Sequence, residues 1–427
     1  MTSANNDLEP DAATQRAWLE AAAKIVLAHM ASLASAPIVS DPRARDLGPG
    51  YPGVTETPLE GGADAALAIV ARAAEAAFST TAPGYLAYVP GGGLFAAAVA
   101  DLVADVLNRY TGLTAAAPDL LGLENDVLSW LAGEFGYTSR AAGLFTSGGS
   151  LATLTAVVAA REERVGASND PRLATGYASA QAHGSIAAAF RLAGLPPENL
   201  RAVPVDRAFR LQPDRLSDTV KEDRGRGRLP FIVVATAGST NTGAIDPLPQ
   251  IAALCTQEKL WLHVDGAYGG AFVLCEEGRR RLRGIELADS IAFDPHKGLF
   301  LPYGTGCLLL RDGLPSGARS AAQSTGTAAG DDSYLRDVRA RAGEHAPASP
   351  ADFGLELSRP YRGLRVWLPL MLHGAAAFRE ALAEKLALAA AFHRGLRESV
   401  RAGLPIEIVA APQLTVVAFR LSRLSAE

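Results

Sequence analysis

From residue 143 onward, short β-rich apolar runs alternate with helix-length segments, and that alternation leaves few architectures open. The runs are GLFT, ATGYAS, RAVPV, FIVVAT, LWLHVD, SIAFD and TGCLLLR, with helical stretches at 150–164, 184–193 and 247–258 between them. Strands joined by helical crossovers run parallel, because tight turns can only join antiparallel neighbours. FIVVA is apolar on both of its faces, as a strand covered from both sides must be. The pattern therefore predicts an α/β fold: a mostly parallel, seven-stranded sheet with helices on both faces.

The flanks read differently. Residues 15–34 place Trp18, Ala22, Ile25, Val26 and Met30 at helical spacing. Residues 36–62 are rich in Pro and Gly without a period, an irregular arm. Helical patterns return at 63–78, 94–109 and 119–135, with the punctuation PGYLAYVPGGG at 83–93. The stretch 317–351 is polar, small-residue rich and long, as lids and binding loops are. A helix over 363–398 and the strand-like runs IEIVA and LTVVAFRL close the chain. The expected division is an N-terminal helical arm (1–83), a large domain (84–362) carrying a mobile loop at about 317–351, and an abridged α+β C-terminal domain (363–427).

Composition removes several function classes. With 48% apolar and 20% charged residues over 427 positions, the chain has the make-up of a folded domain. Forty basic residues against 45 acidic ones, with no Lys/Arg block, argue against nucleic-acid or anionic-membrane partners. Cys255, Cys275 and Cys307 are too few and too scattered for a disulfide framework or a zinc site, and are expected as buried thiols. No uninterrupted apolar run reaches 18 residues and the N-terminus lacks a leader-like pattern, so a cytoplasmic protein without membrane spans or bound metal is expected.

Ligands of an open parallel sheet bind at the carboxyl ends of its strands. Five segments fall there. Thr146-Ser147-Gly148-Gly149-Ser150 opens a helix, where free N–H groups and two hydroxyls can cradle an anion; plain helix capping reads the same way. His183 follows the second strand. Thr236 ends FIVVAT. Asp265 ends an apolar strand, where a carboxylate is costly unless it meets a cation. Lys297, in Asp294-Pro295-His296-Lys297-Gly298, follows SIAF and is equally costly unless chemically used. Each has a bland structural alternative, but one ligand accounts for all five. Pyridoxal 5'-phosphate needs an anion cradle, a flat ring neighbour, a carboxylate for its ring nitrogen and a lysine for its aldehyde.

The segments SGGSLATLTA, QAHGSIAAA, VATAGSTNTGAIDPL, WLHVDGAYGGA and DSIAFDPHKGL, in that order, resemble the group II pyridoxal-phosphate decarboxylases. That family includes the aromatic-amino-acid, glutamate and histidine decarboxylases and has the type I, aspartate-aminotransferase-like fold. The resemblance implies that Lys297 is the Schiff-base lysine, that Asp265 pairs with the ring nitrogen, and that Ala267 and His183 lie against the two ring faces. It places Ser147, Gly148, Gly149, Ser150 and Asp294 around the phosphate, with Thr236 beside the ring or substrate. His296 would approach the phosphate or the substrate carboxylate, and Tyr88 and Pro90 would line the substrate pocket. Tyr334 matches the loop tyrosine that returns a proton to the α-carbon. An arginine of Arg359-Pro360-Tyr361-Arg362 is expected in a structural ion pair.

Two departures stand out: Gly298 replaces a common tryptophan, and Gly91 to Gly93 put bare backbone where relatives carry bulkier pocket residues. The activity implied is decarboxylation of an L-amino acid with an aromatic or apolar side chain, in a homodimer whose active site lies at the interface. The rival outcomes are aminotransfer, carbon–carbon lysis or oxidative aldehyde formation on the same cofactor, and a catalytically silent homologue acting as a binding subunit. Tyr334 argues against the aldehyde route, which the family associates with Phe at that position.

Overall fold

A computed structural model describes residues 8–38, 53–54, 56–75, 77–89, 91–166, 169–313 and 349–422. The chain forms two compact units, Met1–Pro90 and Gly91–Glu427. The first contains helices α1 (Ala12–Ser32) and α2 (Gly62–Glu75), which pack on each other. Asp11 caps α1 by accepting from the Thr14 N–H at 2.8 Å. No residue of α1 is buried, and Trp18, Leu19, Val26 and Leu27 stand exposed. Ala12–Ser35 is long and apolar enough to cross a membrane by length and composition, a test that signal sequences and core helices also pass. Arg16, Glu20 and Lys24 interrupt it, so no uninterrupted apolar run arises.

The second unit begins with α3 (Phe95–Leu107) and α4 (Pro118–Glu134), then β1 (Ala142–Thr146), α5 (Gly149–Arg164), β2 (Ala174–Ser179), α6 (Gly184–Leu192) and β3 (Leu200–Val203). It continues through α7 (Pro213–Gly225), β4 (Leu229–Thr236), α8 (Leu248–Glu258), β5 (Trp261–Asp265), α9 (Glu276–Arg281), β6 (Ser290–Phe293), α10 (Pro295–Gly298) and β7 (Gly306–Leu310). The strands form one seven-stranded sheet in the order β1-β7-β6-β5-β4-β2-β3. Only β7 runs against its neighbours; β6, β5, β4, β2 and β3 pair in parallel. Phe231 to Ala235 are all fully buried, so both faces of β4 are covered. Ile232 and Val234 join the apolar cluster of α5 and α6, while α7 and α8 also pack on β4.

Helix α7 has no counterpart among the sequence expectations. PDRLSDTVKEDRG is mostly polar, and its buried face is only Leu216, Val220 and Asp223. Beyond the second part of the sheet come α11 (Pro350–Phe353) and α12 (Arg362–Arg401), the latter broken at Gly374, where φ is 72°. The terminal β8 (Ile406–Ile408) and β9 (Phe419–Leu421) pair antiparallel. The run LTVVAFRL is thus a strand only at its end. Its start is a strap instead: Leu414 is buried against Gly238 and Gly269, the Thr415 N–H donates to the Tyr268 hydroxyl at 2.8 Å, and Gln413 Oε1 accepts from Ile245 N–H at 3.0 Å. Its apolar character serves docking rather than a ladder.

Candidate active site

Parallel pairing brings the carboxyl ends of β4, β5 and β6 side by side, with Thr236 in register with Asp265 and Asp265 with Ala292. The chain leaves β1 at Thr146, passes Ser147 and Gly148, and enters α5 at Gly149. A Cβ on Gly149 would meet Ala267 Cβ at 3.0 Å and the Asp294 carboxylate oxygens at 3.3 and 3.4 Å; one on Gly148 would meet His296 Cε1 at 3.8 Å. The glycines therefore bring bare N–H groups up against the residues that follow β5 and β6. Ser147 and Ser150 flank this helix start and are exposed.

Asp265 is 7% exposed, and its Oδ1 accepts from the Ala267 N–H at 3.1 Å. Burial pushes its carboxyl above the usual range; the Ala267 N–H and the charge of Lys297 pull it down, Asp294 pushes it up and His183 pulls it down. A buried carboxyl raised in this way, without an ion pair among the described residues, is a group waiting for a cation. Lys297, on the short α10, directs Nζ to Asp294 Oδ2 at 2.8 Å. His296 Nδ1 bonds the Thr305 carbonyl at 2.7 Å, which makes Nδ1 the protonated nitrogen and leaves Nε2 3.7 Å from Asp294 Oδ2. His183 caps α6, its Nδ1 accepting from the Ser185 N–H at 3.2 Å, and its ring is exposed.

Two buried atoms here lack hydrogen-bond partners, Thr236 Oγ1 and Asp294 Oδ1. Buried polar atoms are nearly always paired, so Asp294 Oδ1, which stands against the head of α5, points to a polar ligand there, and Thr236 Oγ1 at the end of β4 is a second unanswered group beside Asp265. Cradle, unpaired hydroxyl, unpaired carboxyl oxygen, uncompensated Asp265 and Lys297 amine together match the donor set of pyridoxal 5'-phosphate, and the residues present fit that group.

The structure thus gathers Gly148, Gly149, Thr236, Asp265, Ala267, Asp294, His296 and Lys297, with His183 close enough to act on Asp265 electrostatically. Tyr88 belongs to the first unit, exposed and at φ 60°. Pro90 and Tyr334 lie outside the described residues. Arg359 and Arg362 are both in ion pairs, Arg359 with the buried Glu124 and Arg362 with Glu356 at 2.7 Å. Gly91 and Gly92 do not open a pocket within their own unit: a Cβ at Gly92 would strike the Phe300 carbonyl at 2.1 Å, so the glycine serves a close passage of two backbones. Gly298 likewise leaves room for Ala271, whose Cβ would be 2.1 Å from an added one.

Sequence reasoning missed Asp246. Its carboxylate accepts from the N–H groups of Leu211 and Thr236 at 2.7 and 2.8 Å, and burial pushes it up to about 6. It holds the end of β4 in place. Its sequence context, GAIDPL, offered only the hint of one acid in an apolar turn.

Comparison with known proteins follows the same lines. The family described as "Pyridoxal-dependent decarboxylase conserved domain" matches residues 71–422. The chain is 36% identical to an aromatic-L-amino-acid decarboxylase of Bacillus atrophaeus over 344 residues, which covers 79% of this chain and 67% of that one. It is 31% identical to a phenylacetaldehyde synthase of Petunia hybrida, covering 81% and 67%. Among solved structures, Oryza sativa TDC with PLP and tryptamine superposes with a TM-score of 0.83 at 26% identity, covering 97% of this chain and 85% of that one.

Proposed function

Because the chain belongs to the pyridoxal-dependent decarboxylase family, we infer that it is a pyridoxal 5'-phosphate-dependent carboxy-lyase that turns an aromatic L-amino acid into its amine and carbon dioxide. The observation that carries this reading is Asp265, a buried carboxyl held above its usual range beside a lysine and a glycine-rich helix start. The aromatic substrate class is supported by the similarity to the aromatic-L-amino-acid decarboxylase and by Tyr303. That ring is 58% exposed and 5.7 Å from the His296 ring, an apolar plane beside the lysine segment.

When bound, the cofactor supplies an electron sink, its cationic pyridine accepting the pair that the departing carboxylate leaves behind. The chain's own residues do the rest. The backbone N–H groups at Gly148 and Gly149, the Ser147 and Ser150 hydroxyls and the α5 dipole would hold the phosphate. Asp265 would regain its ordinary preference for ionisation once a cation faced it, and so would hold a proton at the ring nitrogen. Ala267 and the exposed His183 would flank the ring, and the buried Thr236 hydroxyl would hydrogen-bond cofactor or substrate. Lys297 would be the covalent anchor and then a mobile amine able to carry a proton. His296, fixed by Thr305, would present Nε2 to an anionic group, and Tyr334 would return a proton to the α-carbon. A homodimer with the site at its interface belongs to this reading. The exposed apolar residues of α1 are consistent with burial against a second copy, and sedimentation equilibrium separates the two states.

Borohydride reduction of the cofactor-loaded protein, followed by peptide mass spectrometry, should find the adduct on the Lys297 peptide. Supplied with aromatic amino acids, the wild type should release amine and carbon dioxide in equal amounts. Lys297→Ala should lose the adduct and roughly a thousandfold or more of the turnover. Aldehyde in place of amine would move the protein to the oxidative reading, which the similarity to the Petunia enzyme favours as the second one. An unlabelled, inactive wild type would overturn both.

A further inference from the structure

We propose that Asp294 makes phosphate capture proton-linked: as the cofactor's phosphate enters the cradle, Asp294 takes up a proton from solvent, keeps it on Oδ1 and donates a hydrogen bond through it to a phosphate oxygen. This rests on the reading of the site as a pyridoxal-phosphate site.

The carboxylate of Asp294 already stands where an anion would arrive. Its oxygens lie 3.3 and 3.4 Å from the position a Cβ on Gly149 would take, at the first residue of a 16-residue helix. Asp294 is 2% exposed, so a carboxylate and a phosphate dianion would meet there with little water between them. Oδ2 is held by Lys297 Nζ at 2.8 Å, whereas Oδ1 is buried and has no partner. An ionised carboxylate can only accept hydrogen bonds and has nothing to offer a phosphate oxygen. A protonated one has an O–H, and the unpartnered Oδ1 is the atom free to carry it.

The surroundings do not relieve the conflict. Lys297 answers Oδ2 alone and leaves Oδ1 with no donor to present to an arriving phosphate oxygen, whether or not its amine reacts. On the same element, His296 has Nδ1 committed to Thr305 and only Nε2, 3.7 Å away, facing Oδ2. From β5, Asp265 adds negative charge, with His183 of the α6 cap beside it. From β7, burial keeps the Cys307 thiol neutral. Arg365, which donates to the Thr305 hydroxyl at 2.8 Å, is paired with Asp101. Taking up one proton on Asp294 removes one negative charge and creates one donor, with no other bond changed.

The test uses the apo full-length chain and probes that cannot react with lysine. These are 4'-deoxypyridoxine 5'-phosphate, which lacks the aldehyde, and inorganic phosphate, which also lacks the ring nitrogen. Titration calorimetry at about pH 8 to 9, where the second phosphate ionisation is complete, in two buffers of different ionisation enthalpy counts the protons taken up. Wild type should take up about one proton more than Asp294→Asn, and its affinity should fall about tenfold more per pH unit. Asp294→Asn should bind both probes more tightly at the alkaline end. Equal proton uptake and equal slopes would overturn the proposal. Should the variant not fold, wild type taking up no proton with inorganic phosphate would overturn it as well. A borohydride-stable adduct on Lys297 without proton linkage would sink this inference alone, whereas a missing adduct would remove the reading beneath it.

Discussion

Asp223 and Asp294 are both 2% exposed, yet they live in opposite circumstances. Asp223, on α7, receives Arg201 through two nitrogens at 3.0 and 2.8 Å and the Tyr177 hydroxyl at 3.0 Å, tying β2, β3 and α7 together. Burial would raise its carboxyl, but hydrogen bonds from Arg201 and Tyr177 and the arginine charge hold it below the usual range. At the other place, the carboxyl ends of β5 and β6, Asp265 is pushed up by burial and Asp294 keeps one oxygen without a partner. Equal burial therefore does not mean equal purpose. Where both carboxylate oxygens are answered from within the chain, the network holds elements together; where one is left open beside a helix N-terminus, the chain is incomplete without a ligand.

Substitutions at the two places should separate these purposes. Asp265→Asn should lower decarboxylation by roughly a hundredfold to a thousandfold, the scale lost with one electrostatic stabiliser of a transition state. Its melting temperature should hold or rise, because an uncompensated buried carboxyl has been removed. Steady-state kinetics beside thermal unfolding checks both. Asp223→Asn should do the reverse, costing about 2–3 kcal/mol of stability by chemical denaturation while leaving kcat of the folded fraction unchanged. A kinetic defect at Asp223 without a stability loss would break the comparison.

His263 gives the smallest effect and a pH dependence of known sign. The ring is fully buried between Thr153 and Ser290, and burial pulls it down to about 3. In the unfolded chain it would protonate near its ordinary value of about 6.5. Between these values the unfolded state binds the extra proton, so the folded state loses ground as pH falls. The stability difference between wild type and His263→Asn should therefore shrink by about 1.4 kcal/mol per pH unit on acidification from pH 6.5 toward 4. Denaturant midpoints across that range measure it, and a constant difference would mean that the ring is not held neutral.

All seven strands of the main sheet were legible because apolar runs of strand length recur between helical segments, a local signal that burial on both faces reinforces. Helix α7 was not, since PDRLSDTVKEDRG hides two apolar residues among charges and its main anchor is the acid Asp223. LTVVAFRL misled for the converse reason, its apolar residues docking on Tyr268, Gly238 and Gly269 instead of entering a ladder. The lysine, the aspartate and the glycine-rich turn could be named in advance, because a charge at the end of an apolar strand is conspicuous. Gly92 and Gly298 could not be interpreted, since what a missing side chain makes room for lies far away in sequence.

The amino-acid order alone determined the α/β class, the strand-end positions of Asp265 and Lys297 and the chemistry those two side chains suit, because each depends on residue type and short-range period. Only the folded chain decided that Lys297 reaches Asp294 rather than Asp265, that Asp294 stands against the head of α5 with an oxygen unanswered, and that Asp246 props the end of β4. Asp294 is only three residues from Lys297, but its choice over Asp265, its approach to α5 and the seating of Asp246 under β4 are set by sheet order and register, which no local pattern encodes.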